Sequence, residues 1–147
     1  MTVSVFARGN KFLRQGKLEE AIASYEKAIE LNPQFASSYQ SLGEALEQVG
    51  RIDEAIAVFR RAVANCPESP WPFYKLGVIL GQQGKFQEGV GYLRRAIELK
   101  NDVPEFYLGL GTGLVKLGQW SQGVDCINRA LGIWGCLLYT SDAADDL

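Results

Sequence analysis

Residues 42–67 read LGEALEQVGRIDEAIAVFRRAVANCP, and this stretch decides the fold. Leu42, Ala45 and Leu46, with Tyr39 just upstream, lie three and four residues apart. That spacing puts side chains on one face of a helix. Gly50 interrupts the pattern, and a second face follows in Ala55, Ile56, Phe59, Ala62 and Val63. Pro67 closes the stretch, because proline cannot continue a helix. The stretch predicts two helices joined by a glycine turn.

The same pattern extends in both directions with a period of 34. Gly9, Gly43, Gly77 and Gly111 keep it, as do Gly16, Gly50, Gly84 and Gly118, and Ala28, Ala62, Ala96 and Ala130. A period of this size marks stacked units, each too small to bury its own apolar face. The units are residues 2–35, 36–69, 70–103 and 104–135, and the predicted fold is all-α, an array of four helix-turn-helix repeats. Gly43 and Ala55 stand where the two helices of a unit cross closely, since larger side chains would push the axes apart. Glu19, Glu20, Asp53, Glu54 and Glu88 open second helices, and Arg60, Arg61, Arg94 and Arg95 lie in later turns. That order suits the helix dipole and reads as solvated helix ends.

These residues resemble the tetratricopeptide repeat (TPR) family. Its signature is followed by Leu42, Gly43, Leu46, Gly50, Ala55, Phe59, Ala62 and Pro67, and in the first unit by Gly9, Phe12, Gly16, Ala21, Tyr25, Ala28 and Pro33. The later units depart from it. Gly89 and Gly123 replace alanine, and Asn101 and Gly135 replace proline. A glycine within a helix costs about 1 kcal/mol relative to alanine, so the last two units are expected to be softer. The resemblance implies a right-handed α-solenoid whose first helices line a concave, partner-binding face. Carried over, that face holds Asn10 and Arg14, then Gln40, Ser41 and Glu44. Trp71, Tyr74, Lys75 and Gln82 follow from the third unit, and Leu108, Thr112 and Lys116 from the fourth. Some members grip a terminal carboxylate with a basic and amide clamp. Asn10 and Lys75 match it, but Phe6, Ser41 and Trp71 depart from it. The asparagine ladder of sugar-transferase arrays is replaced here by Ala7, Ser41, Lys75 and Gly109.

Cys136 to Asp145 resembles a translated transposase sequencing adapter. Residues 136–147 are therefore expected to be a non-native, disordered tail, and the repeats to be the N-terminal piece of a longer protein. Without the tail's Asp142, Asp145 and Asp146 the net charge moves from −2 to +1. Neither value suggests a nucleic-acid binder. No apolar run approaches the ~18 residues of a membrane span, and a cytoplasmic location is expected.

The chain has no histidine, which removes Ser-His and Cys-His nucleophile pairs and histidine metal ligands. Cys66 and Cys126 are too few for a zinc site and read as small packing residues. Gly113 and Gly118 have phosphate-loop spacing, but Gln119 stands where lysine is needed. The sequence therefore predicts no enzyme activity, no cofactor and no metal in this chain. It predicts a scaffold that binds a protein or peptide, with no nucleic-acid or membrane partner. The alternative is a substrate-recruiting arm of a larger enzyme, such as a glycosyltransferase. The fourth unit lacks a polar capping helix, so Ile127, Leu131, Ile133 and Trp134 are expected to be partly bare, which favours self-association.

Overall fold

The structure is a computed structural model that describes residues 1–145, with side chains through Leu138. It contains α1 (Thr2–Arg14), α2 (Leu18–Leu31), α3 (Ala36–Gln48), α4 (Ile52–Asn65), α5 (Pro70–Gln82), α6 (Phe86–Leu99), α7 (Pro104–Lys116) and α8 (Trp120–Asp145). No strand occurs among the described residues. Each predicted unit holds one helix pair.

The glycine turns follow from backbone sterics. Gly16, Gly50, Gly84 and Gly118 have φ of 74°, 80°, 79° and 82°, a region that a Cβ disfavours. This left-handed residue lets the next N–H reach back over the helix end. Lys17 N–H donates to the Phe12 carbonyl, Arg51 to Leu46, Lys85 to Leu80 and Gln119 to Leu114, each at 2.9 Å. Carbonyls left over at the helix end are thereby satisfied.

The chain forms two compact units, Met1–Pro72 and from Phe73 onward. In the first, α1 packs on α2, α2 on α3, and α3 on α4. Tyr25, Tyr39, Leu42 and Phe59 are fully enclosed there. In the second, α6 packs on α7 and α7 on α8. Val90, Leu93, Leu110 and Leu114 form that core, with Tyr74, Val78, Ile97, Leu117 and Cys126 against it.

The two units close their helix pairs differently. A Cβ on Gly9 would stand 2.6 Å from the Tyr25 ring, and one on Gly43 would stand 2.4 Å from the Phe59 ring. In the second unit Leu93 and Ile127 occupy the repeat-equivalent positions, and the backbones themselves meet. A Cβ on Gly89 would lie 2.7 Å from the Gly77 carbonyl oxygen, and one on Gly123 2.9 Å from that of Gly111. The expected softening from Gly89 and Gly123 is therefore offset by packing, because alanine has no room at either place.

A second recurring contact was hidden in the charge pattern. Arg61 lies over the Tyr39 ring at 5.7 Å, Arg95 over Phe73 at 5.9 Å and Arg129 over Tyr107 at 5.4 Å. Arg61 also grips Glu26 with both guanidinium nitrogens, at 3.0 and 3.2 Å. Arg61 and Arg95 are thus ring-stacking residues tying the two helices of a pair together, not only solvated helix ends. Tyr39 donates to the Pro33 carbonyl at 2.8 Å, and Tyr107 does the same to Asn101. Each latches a first helix to the turn before it.

The backbone of residues 136–145 continues α8. No proline interrupts this stretch, and Ala143 and Ala144 favour helix. The disorder expected of residues 146–147 lies outside the described residues.

Candidate functional site

Three glycines that the 34-residue frame does not require line a cleft in the second unit. Gly81 stands where the first two units carry Leu13 and Glu47. Gly109 replaces Ala7, Ser41 and Lys75, and Gly113 replaces Lys11, Ala45 and Ile79. A Cβ on Gly109 would meet Leu93 at 3.1 Å, and one on Gly113 would meet Val90 at 2.8 Å. Over Gly81 there is nothing within 4 Å. The cleft lies among α5, α6 and α7, measures about 390 Å³, and is open over Gly81.

The floor of the cleft is apolar, built from Val78, Val90, Leu93 and the glycines. Its rim is mixed. Tyr74 and Glu105 stand near the start of α5 and α7, and Gln82, Thr112 and Lys116 toward their ends. Eleven residues separate Glu105 from Lys116, about 16 Å along a helix. The rim therefore carries opposite charges at its two ends. The Tyr74 ring packs on Phe106 at 5.1 Å, which fixes one wall. Burial pushes the Tyr74 hydroxyl above its ordinary pKa, with Lys75 pulling it down and Glu105 pushing it up. Thr112 donates its hydroxyl to the Leu108 carbonyl at 2.8 Å, so its polarity is spent within its own helix.

The residues predicted for the binding face separate into two groups. Tyr74, Gln82, Leu108, Thr112 and Lys116 meet around the cleft. Trp71, exposed at 38%, and Lys75 share α5 with them but do not line it. In the first unit, Asn10, Arg14, Ser41 and Glu44 surround the Tyr25 hydroxyl. Tyr25 donates to Asn10 Oδ1 at 2.7 Å, and Gln40 donates to Glu44 Oε1 at 3.3 Å. Burial raises the Tyr25 pKa, Ser41 and Arg14 lower it, and Glu44 adds to the rise. The first unit therefore presents a closed polar cluster and the second an open apolar cleft.

The glycine floor went unpredicted. Its signal was present as Gly81, Gly109 and Gly113, glycines outside the repeating set. Reading Gly81 only as part of a failed phosphate-loop spacing overlooked the open space above it.

Family and structural comparisons agree with this architecture. A family model described as tetratricopeptide repeat matches residues 6–70, and a second with the same description matches residues 72–103. Together they cover about two thirds of the chain. No curated protein matches the chain. A crystal structure of MamA is similar at 22% identity, covering 94% of this chain and 81% of that one, with a TM-score of 0.81. MamA from Desulfovibrio magneticus RS-1, from residue 41 to its end, is 16% identical over 92% of this chain and 77% of that one, with a TM-score of 0.76. YrrB is 25% identical, covering 90% of this chain and 69% of that one, also with a TM-score of 0.76.

Proposed function

Because this chain belongs to the tetratricopeptide repeat family, whose arrays are protein-interaction scaffolds, we propose that it holds a partner's peptide segment in the cleft among α5, α6 and α7. One observation carries this reading: a 390 Å³ apolar cleft, open over Gly81 and rimmed by Glu105 and Lys116. An apolar anchor with a few polar contacts at its edge is the usual character of a peptide pocket. A bulky aliphatic or aromatic side chain would enter over Gly81, and the rim charges would orient the segment. The comparison with YrrB, described as a TPR protein with an unusual peptide-binding site, supports a peptide ligand. In this reading the chain is a cytoplasmic binding module with no chemistry of its own.

Removing Trp71 and Tyr74 together would test the face but confuse two effects, because Tyr74 also packs on Phe106. Gly81→Leu is the cleaner change. The position is helical, and no neighbour lies within 4 Å of an added Cβ. A random peptide library displayed on phage and selected on the wild-type chain should enrich sequences with a bulky apolar residue. Those peptides should bind Gly81→Leu at least about tenfold more weakly, a factor worth ~1.4 kcal/mol, with helical circular dichroism unchanged. The reading fails if no peptide is enriched, or if the enriched peptides bind Gly81→Leu equally well.

A further inference from the structure

The cleft among α5, α6 and α7 offers a ligand apolar contact but few hydrogen bonds. Ten of its fifteen lining residues are glycine or apolar, and the five polar ones stand on the rim. Val78, Val90 and Leu93, on the floor, lie inside helices whose N–H and C=O groups bond along their own axis. An extended peptide laid here would turn part of its backbone toward that floor without a partner, and each group so stranded costs binding. A helix pairs its own backbone and brings only side chains. The floor therefore suits a helix with an apolar face.

The rim decides which way round such a helix lies. Glu105 opens α7 and Lys116 closes it. Both are exposed, and neither makes an ion pair among the described residues. Glu105 is not demanded by the repeat. Val3, Ser37 and Trp71 hold its place in the earlier units, and α1, α3 and α5 have no acid in the first turn. Lys75 acts on the same Tyr74 hydroxyl as Glu105, but its side chain does not line the cleft. A ligand thus meets an acid at one end and a base at the other, about 16 Å apart. A helix carries acids best in its first turn and bases in its last. Laid antiparallel to α7, it sets those acids against Lys116 and those bases against Glu105. Laid parallel, it could match the rim only with charges that oppose its own dipole. Gly81 is repeat-equivalent to Val115, so the opening above it lies at the Lys116 end.

We propose, resting on the reading that this cleft holds a peptide, that its ligand is an amphipathic helix of about three turns lying antiparallel to α7. An acid in its first turn meets Lys116. A bulky apolar side chain one turn further on drops over Gly81, and a base in its last turn meets Glu105.

Two phage-displayed libraries of alanine-rich helical peptides, about 14 residues long, test this on the full chain. One fixes Glu in the first turn and Lys in the last, the other reverses them, and both randomise one face. The wild-type chain should enrich the acid-first library at least about tenfold over the base-first one. Glu105→Lys combined with Lys116→Glu should invert that order, which separates the rim from the peptides' own helicity. Should the reversal disturb α7, Glu105→Gln with Lys116→Gln should abolish the preference. Equal enrichment of both libraries, or a preference that these variants leave unchanged, overturns the inference. So does a central proline that leaves binding intact, the mark of an extended ligand. If the peptides in those cases still lose binding to Gly81→Leu, the peptide cleft stands and only its helical ligand falls. Enrichment from the fully random library alone has the same meaning, and enrichment from no library removes both.

Discussion

The carbonyl oxygen of Gly77 lies 2.7 Å from where a Cβ on Gly89 would stand, so α5 and α6 touch through backbone. The added atom would also sit 3.3 Å from the Gly81 amide nitrogen. Both contacts are to backbone, which yields only if the helices separate. Helix propensity favours alanine over glycine by about 1 kcal/mol, but overpacking costs about 1–3 kcal/mol. Gly89→Ala is therefore expected to lower stability by roughly 1 kcal/mol in net. Urea denaturation of wild type and variant would show it, and an unchanged or raised midpoint would refute the tight contact.

Gly81 is one turn from Gly77 on the same helix and has the opposite expectation. With open space above it and no positive φ, Gly81→Ala gains helix propensity without a clash. Stability should rise by about 0.5–1 kcal/mol, seen as a higher midpoint in the same titration. A fall would mean that the cleft is closed in solution.

Ser38 is fully buried, and its Oγ has no hydrogen-bond partner. A buried hydroxyl left unpaired costs about 1–3 kcal/mol relative to a satisfied one. Ser38→Ala keeps the volume nearly constant and removes the desolvated oxygen. The expected gain is about 0.5–1 kcal/mol, read from the thermal midpoint. A loss would show that the hydroxyl is bonded after all.

Alkaline pH should unfold this protein more readily than neutral pH. Burial raises the pKa of Tyr25, Tyr39, Tyr74, Cys66 and Cys126 in the folded state. Each group is then neutral when folded at a pH where the unfolded chain has already lost the proton. Its contribution is complete below the unfolded pKa and disappears as pH climbs through the folded one. Thiols begin this from about pH 8.5 and tyrosines from about pH 10. Chemical denaturation at stepped pH should show stability falling above that range, and a stability that climbs there would contradict the assigned shifts.

Much of this architecture was legible because it is local and periodic. Gly16, Gly50, Gly84 and Gly118 recur at fixed spacing, and a left-handed turn needs only the missing Cβ at that residue. The small pair Gly43–Ala55 was visible as a close crossing for the same reason, whereas Gly89 read only as a weakened helix position. The stacking of Arg61 on Tyr39 and Arg95 on Phe73 was harder to see. Each pair is 22 residues apart, and its charge alone reads as a helix end.

The binding face shows the same division. The resemblance to tetratricopeptide repeats put Tyr74, Gln82, Thr112 and Lys116 on one face of their helices. It carried no information about depth. Gly77 and Gly81 are the same residue four positions apart, yet one is pressed against Leu93 and Gly89 and the other opens onto empty space. Likewise Ile29 and Leu131 hold one place in the repeat, yet the first is 4% exposed and the second 56%. Periodicity encodes what each unit is; what surrounds it depends on distances between separate helices, and those exist only in three dimensions.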